Sequence, residues 1–471
     1  MEHYDVCVIG SGSGNSIIDD RFAGRKTVLV DASERFGGTC LNAGCIPTKM
    51  FVHTADLAAW ARDSTRFGLD IAKPGVDWPA IRDRVFSRID PISEGGRDYR
   101  EHLPYVTLLR GTARFTGVRT VTVTMNDSDE EVSFTADQIV LATGSRPYHA
   151  PIQGLDNPDL QSLIHTSDTI MRIESLPKRL IILGGGAVAT EFAHIFSSLG
   201  VKVTLINRSE PLLRQEDHEV AAAFTELLSH RVAVRLRQVV REVEVSSRGG
   251  ILVATVDADG IEYTYEGHML LIAQGRVPNS DLLNLAATGV EVGPYGVIAV
   301  DDHQQTTCPG IWALGDVANR YQLKHVANQE ARVVQHNLLH PDDLVASDHR
   351  FVPNAIFSSP QVASVGVTEQ QLVATGRPYL KGVQRYSDVA YGWALEDGGD
   401  TICKVLVDPD SLQLLGTHIV GPEAATLIQP AIQAMSTGVD ARTMARGQYW
   451  IHPALTEVLE NALLQVAPDP R

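Results

Sequence analysis

A strand pattern, a glycine-rich turn and a helix-forming stretch occur twice in this chain, and that repeat constrains it to fold around two nucleotide-binding units. The first copy runs from the strand Tyr4 to Ile9 through Gly10-Ser11-Gly12-Ser13-Gly14-Asn15, a helical stretch and a second strand, Thr27 to Val30, ending at Asp31. Glycines permit the tight turn and let backbone N–H groups and a helix N-terminus approach a pyrophosphate, while an acid about 20 residues on suits a ribose hydroxyl. Asn15 stands where the motif has its third glycine; the strands on both sides sustain the assignment. The second copy comprises the strand Arg179 to Leu183, the turn Gly184-Gly185-Gly186-Ala187-Val188-Ala189, a helix Glu191 to Leu199 capped by Gly200, and the strand Val201 to Ile206. It ends in Asn207-Arg208, with Arg214 further along. An acid there would bind the free ribose of NAD, whereas arginines suit the 2′-phosphate of NADPH. Solvated surface arginines are the ordinary alternative.

Cys40 and Cys45 lie just after the first copy, in the run Gly37-Gly38-Thr39-Cys40-Leu41-Asn42-Ala43-Gly44-Cys45-Ile46-Pro47-Thr48-Lys49. Four residues between two thiols can close a small disulfide loop, and Gly44 and Pro47 can bend the backbone where a regular helix would turn the side chains apart. Two buried free cysteines are the bland alternative. Two dinucleotides beside a thiol pair imply electrons passing from a nicotinamide to sulfur through a flavin, chemistry that side chains alone cannot supply.

At 471 residues and 44% hydrophobic, the chain can bury several cores and divide into about three domains. Five cysteines are too few and too scattered for a secreted disulfide scaffold, so a reducing compartment is expected. The first residues enter a strand without the features of a signal peptide, and no apolar run approaches about 18 residues, which favours a cytoplasmic protein without a membrane span. Forty basic against 57 acidic residues, a net charge of −17, would repel nucleic acid and anionic membrane. No metal site is expected.

These residues resemble the pyridine nucleotide–disulfide oxidoreductases of class I over essentially the whole chain. Leu141-Ala142-Thr143-Gly144, Ala273-Gln274-Gly275-Arg276-Val277-Pro278-Asn279, Trp312-Ala313-Leu314-Gly315-Asp316 and His452-Pro453 with Glu457 are similar to further segments of that family. The resemblance implies an α/β fold: two Rossmann-like domains, for FAD and NADPH, and a C-terminal α+β interface domain in a homodimer. The expected FAD domain spans 1–150 and returns at 280–345, the NADPH domain spans 151–279, and the interface domain 346–471. Alternating strands at Thr401 to Val407 and Gln413 to Val420, then a helix Ala424 to Met435, suit that last layer. Gly10, Gly12, Gly14, Asp31, Gly38, Thr39, Lys49, Thr143, Gly144, Gly184, Gly186, Ala189, Arg208, Arg214, Gly275, Gly315 and Asp316 are implied as cofactor contacts.

In the roles carried over from the family, Cys45 faces the flavin as a thiolate and Cys40 attacks the substrate disulfide. His452 acts as base for the partner's cysteines, oriented by Glu457, and Lys49 pairs with Glu191 near the flavin. A thiolate is the nucleophile, so a neighbouring base or a lowered pKa is required. Aligning the glycines places Asp20, after Asp19, where glutathione reductases hold a substrate carboxylate with arginine; acids there would repel a polyanionic disulfide. The glycine turn and the segment Cys40 to Phe51 look most like members acting on mycothiol disulfide, a neutral polyhydroxylated substrate. Dihydrolipoamide dehydrogenase, another small-disulfide reductase and a non-catalytic nucleotide-binding protein are the alternatives. The segment Leu463 to Arg471 carries no cysteine, which disfavours large thioredoxin reductases and mercuric reductases. Ala187 replaces the tyrosine that covers the flavin in glutathione reductases.

Overall fold

A computed structural model describes residues 1–72 and 74–467; the end of the cysteine-free C-terminal segment, 468–471, lies outside them. Near-continuous apolar runs such as Val-Cys-Val-Ile and Val-Leu-Val form strands buried on both faces, the pattern of a parallel sheet covered on two sides. Glu2–Ile9 lies between Thr27–Asp31 and Glu131–Leu141, parallel to both. Val106–Gly117 continues the sheet parallel to Thr27–Asp31, then turns into an antiparallel meander with Thr120–Met125 and Glu131–Leu141. Ile311–Ala313 returns to this sheet, parallel to Glu131–Leu141.

A second parallel sheet has the order Ala233–Arg235, Lys202–Ile206, Arg179–Leu183, Met269–Ile272, Ile164–His165. The chain passes between the two sheets through Ser145–Pro147 and Arg276–Pro278, which pair antiparallel, so the second sheet is reached and left at one place. A five-stranded antiparallel sheet, built from Asn354–Ile356, Gln361–Gly366, Leu414–Gly421, Ile402–Val407 and Leu380–Arg385, forms the C-terminal layer. Helices Ala424–Leu427, Gln429–Thr437, Ala441–Arg446 and Glu457–Val466 cover it.

The two glycine turns share one geometry. A Cβ on Gly10 (φ +113°) would lie 2.2 Å from the Ala142 carbonyl oxygen, and one on Gly184 (φ +129°) 2.2 Å from that of Ala273. No other residue fits either position. Beyond the turns the two copies diverge. The second turn enters the helix Ala187–Ser198, four residues earlier than the expected start, because Ala-Val-Ala extends it without cost. The first leads into no regular helix: two 3₁₀ turns, Gly14–Ile17 and Asp20–Phe22, replace the expected stretch. Ser16 Oγ donates to the Ser13 carbonyl at 2.7 Å, and the Asp19 carboxylate accepts from Arg21 N at 3.0 Å. Such local side-chain bonds compete with helix formation. Gly14 takes over the close-packing role of the missing third glycine, since a Cβ there would meet that of Ala142 at 2.5 Å. Asn15 is held by Arg100, whose Nε and Nη2 donate to its side-chain and main-chain oxygens at 2.6 and 2.7 Å.

Helix Cys45–Asp63 packs along Ala187–Ser198 through Phe51, Val52, Ala55, Phe192 and Phe196, with Trp78 stacked on Phe51 at 5.3 Å between ring centroids. This contact fixes the cysteine helix against the second nucleotide fold. Among the described residues no helix is long and apolar enough to cross a membrane.

Candidate active site

Cys40 and Cys45 occupy two helices rather than one. Gly38–Asn42 ends at Ala43, Gly44 adopts φ −135°, ψ −122°, and Cys45 starts the next helix. A Cβ on Gly44 would lie 3.3 Å from Cys40 Cα, so glycine lets the two helix ends approach. Pro47 falls in the first turn, where no N–H is needed. Both thiols are free and unequal. A hydrogen bond from Cys40 lowers the Cys45 pKa to about 6; burial opposes this and the Lys49 charge assists it. Its place at a helix N-terminus acts in the same direction. Cys40 is pushed up, first by donating to Cys45 and then by burial, while Lys324 pulls it down.

Lys49, one turn after Cys45, donates to both carboxylate oxygens of Glu191 at 2.9 and 2.8 Å. Glu191 is buried and also accepts from Phe357 N at 2.8 Å, tying the C-terminal layer to the pair. The expected ion pair therefore spans the two nucleotide folds.

Around the first turn, Asp31 accepts from Ser11 N and Ser33 N, each at 2.7 Å. Gly38 and Gly12 touch backbone to backbone, for a Cβ on Gly38 would fall 2.6 Å from Gly12 Cα. Thr39, at the surface, leads into Cys40. Thr143 Oγ1 is buried without a partner among the described residues, and Gly144 opens onto empty space. Asp316 accepts from Ser145 Oγ at 2.6 Å, and Gly315 N donates to the buried Glu330 carboxylate at 2.7 Å. A glycine cradle, an acid at the strand end and an orphaned buried hydroxyl fit FAD. Gly10, Gly12, Asp31, Thr143 and Asp316 would hold it, with Gly14 packing behind the turn.

At the second turn, Gly186 and Gly275 face open space, Ala189 is fully buried against the sheet, and Gln274 Oε1 is a second buried orphan. Leu213 N donates to the Gly185 carbonyl at 2.8 Å, folding the segment that carries Arg208 and Arg214 back over the turn. Both arginines are exposed, with no ion-pair partner among the described residues. Free guanidinium groups beside a glycine turn fit a phosphate. Ala187 is exposed and covers nothing.

His452 has its bonded partner within its own C-terminal segment. Its Nδ1 is 2.7 Å from Glu457 Oε1, and Ala454 N donates to Glu457 Oε2 at 3.2 Å. Burial works against the Glu457 carboxylate, but these bonds outweigh it and hold its pKa below the ordinary value. The imidazole is 72% exposed, between the exposed Ile451 and the helix Glu457–Val466.

Asp20 is not brought to the cysteine pair. Its carboxylate accepts from Tyr105 Oη at 3.4 Å, and Tyr105 precedes the strand end that pairs with Thr27, opposite the end carrying Asp31. Two 3₁₀ turns, Gly14–Ile17 and Asp20–Phe22, lead the chain from the glycine turn to this contact.

Sequence reasoning overlooked Ser145, Glu330 and Lys324. Arg276 Nε and Nη2 donate to Ser145 Oγ and O at 2.8 and 2.7 Å, and Lys324 Nζ to Ser13 Oγ at 2.8 Å. Ser145 and Lys324 are brought in by contacts far apart in sequence, and Glu330 by a helix that carries no motif.

Residues 4–331 match the family described as pyridine nucleotide-disulphide oxidoreductase, and residues 352–463 match its dimerisation domain. The chain belongs to that family and is an FAD-dependent oxidoreductase that uses a nicotinamide nucleotide and acts on disulfides. It is 47% identical over 468 residues to mycothione reductase of Mycobacterium tuberculosis, covering 98% of this chain and 99% of that one. It is 32% identical over 476 residues to dihydrolipoyl dehydrogenase of Bacillus subtilis, covering 98% and 97%. The HOCl-induced flavoprotein disulfide reductase RclA from Escherichia coli has the same fold, with a TM-score of 0.83 at 24% identity over 98% of this chain and 99% of that one.

Proposed function

We propose that this chain reduces mycothiol disulfide to mycothiol with NADPH, as a homodimer whose two sites are each shared between subunits, in the cytoplasm. The observation that carries this reading is the asymmetric thiol pair, set within a chain 47% identical end to end to a mycothione reductase. Asp20, whose carboxylate is bonded to Tyr105, is given no part in this reading.

Arg208 and Arg214 bind the 2′-phosphate, and the glycine turns hold the two pyrophosphates. FAD, when bound, relays the two electrons of NADPH to the Cys40–Cys45 disulfide. In the reduced pair, Cys40 gives its proton to His452 of the partner subunit and its Sγ attacks one sulfur of the substrate: a Cys40–substrate disulfide forms and the substrate S–S bond breaks. The departing thiolate takes its proton from His452 of the partner subunit, whose positive form Glu457 of the partner subunit stabilises. Cys45 Sγ then attacks Cys40 Sγ, re-forming the internal disulfide and releasing the second thiolate, which takes its proton from solvent. Two electrons and two protons convert one disulfide into two thiols.

Turnover with mycothiol disulfide, glutathione disulfide and lipoamide, each with NADPH and NADH, tests the reading. Mycothiol disulfide with NADPH is expected to give the highest kcat/KM. Arg208→Ala with Arg214→Ala should raise KM for NADPH by about two orders of magnitude and spare NADH, since charge-assisted bonds contribute about 1.5–3 kcal/mol each. Preference for lipoamide with NADH would replace this function with a dihydrolipoamide dehydrogenase.

A further inference from the structure

Two cations stand near the sulfur pair, and they differ in what already neutralises them. Lys49 is paired with the Glu191 carboxylate and lies 4.7 Å over the Phe357 ring. Lys324, the first residue of the helix Lys324–Leu339, has no carboxylate partner among the described residues. Its Nζ donates to Ser13 Oγ at 2.8 Å, and Ser13 Oγ donates to Asn328 Oδ1 at 3.1 Å, one turn along the same helix.

Ser13 is next to Gly12, whose backbone touches Gly38, the residue that opens the short helix carrying Cys40. Ser11 Oγ accepts from Gly37 N at 2.8 Å and clamps the same two segments together. The ammonium is thus held against a rigid backbone contact whose glycine, Gly38, precedes the nucleophile by two residues, and it is half-buried where solvent screens it less than at the surface. Its field favours the Cys40 thiolate, against the hydrogen bond and burial that favour the thiol.

We propose that Lys324 is a positioning residue for the thiol half-reaction, its uncompensated ammonium stabilising the Cys40 thiolate that attacks the substrate disulfide. The inference rests on the disulfide-reductase reading but not on the identity of the disulfide. Lys49 cannot take this part, because Glu191 cancels most of its charge and it stands on the Cys45 side. The other ionisable group facing the pair within the chain is Glu191; in the proposed dimer, His452 and Glu457 of the partner subunit would join it.

The test uses the FAD-loaded Cys45→Ser enzyme, in which Cys40 has no sulfur partner, alone and combined with Lys324→Met, Lys324→Gln or Lys324→Arg. The pH dependence of Cys40 alkylation by iodoacetamide is monitored by peptide mass spectrometry, with buried Cys7 and Cys403 as internal controls. A neighbouring opposite charge moves a pKa by about 1–3 units at close contact, so Met and Gln should each raise the midpoint by about 0.5–1 unit at this longer range. Alkylation near neutrality should fall about 3- to 10-fold, and Arg should restore it. An unmoved profile in Met and Gln overturns the proposal, as does an equal shift in Arg. Loss of bound FAD with an unmoved Cys40 profile also overturns it, since Lys324 would then hold the cofactor only. Failure of mycothiol disulfide as substrate, with the alkylation shift present, leaves this inference standing and removes only the substrate.

Discussion

Cys45 begins a nineteen-residue helix packed into the largest core of the molecule, with a thiol donor, an ion-paired lysine and a glycine hinge supplied by its own chain. His452 has its orienting carboxylate within 2.7 Å but stands 72% exposed at the edge of the C-terminal layer, beside an exposed Ile451. The contrast teaches where each kind of tuning can be done. Lowering a thiol pKa takes fixed charges in a partly dry setting, which one folded chain can provide. In the proposed dimer, a base that serves another subunit would have to stay accessible until that subunit covers it, so its own chain could orient it but not complete its site.

The largest effect should come from breaking one half at a time. Cys40→Ser and His452→Ala should each lower disulfide turnover by at least about 10²–10⁴-fold, while NADPH still reduces the flavin in the histidine variant. A mixed dimer of the two contains one site with both defects and one with neither, so it should regain about half of the wild-type activity per dimer. Heterodimers demonstrated by native mass spectrometry but inactive would place both halves of the site within one subunit.

Glu457→Gln should have a smaller effect, about 10- to 100-fold on kcat, because the amide can still accept from Nδ1 but no longer stabilises the imidazolium. Steady-state kinetics with unchanged KM for NADPH would confine the loss to the histidine half. A loss as large as that of His452→Ala would mean that Glu457 supports the fold of this edge.

On the cysteine side, Lys49 and Glu191 should shift the same thiol in opposite directions. With Cys45 lowered to about 6, its thiolate is present above that pH and is lost as pH falls through it. Lys49→Met removes a favourable charge and should move the midpoint up; Glu191→Gln removes an unfavourable one and should move it down. Each shift should be under about one unit, given the partial exposure of Lys49. Ultraviolet titration of the thiolate in the reduced enzyme measures both. Lys49→Met should also cost more stability, up to about 3–5 kcal/mol, because it leaves the buried Glu191 carboxylate unpaired. Shifts of the same sign would show that the pair acts through helix packing and not through charge.

The glycine turns, the strands that flank them and the cysteine run were legible because local backbone chemistry fixes them: a Cβ at Gly10 or Gly184 has nowhere to go, whatever the rest of the chain does. The residues around those turns were less legible. Ser145, Glu330 and Lys324 reach the site across contacts more than a hundred residues long or through a helix with no motif, and only the packed fold brings them there. The helix after the first turn was misread for a local reason, since the Ser and Asp side chains bonding to their own backbone leave no hydrophobic-period signal to contradict a helix. The same stretch carries Asp20.

That error yields the smallest expected effect. Gln335 Nε2 donates to Asp19 at 3.0 Å, whereas Lys324, at the other end of the same helix, contacts Ser13 in the glycine turn. At about 1.5 Å per residue the two ends are roughly 16 Å apart, and Asp20 lies at the far one. Two unit charges at roughly 16 Å in water interact by about 0.3 kcal/mol, so reversing the charge at an exposed position should change the relative binding of an anionic and a neutral disulfide by only about twofold. Asp20→Arg should therefore leave the ratio of kcat/KM for glutathione disulfide and mycothiol disulfide within about threefold of wild type. Low ionic strength is the demanding condition, because a Debye length near 10 Å at about 0.1 M salt would hide even a real contribution. A tenfold gain toward glutathione disulfide that fades as salt is added would return Asp20 to the substrate's field and require the cysteine half of the site to extend to that end of the sheet.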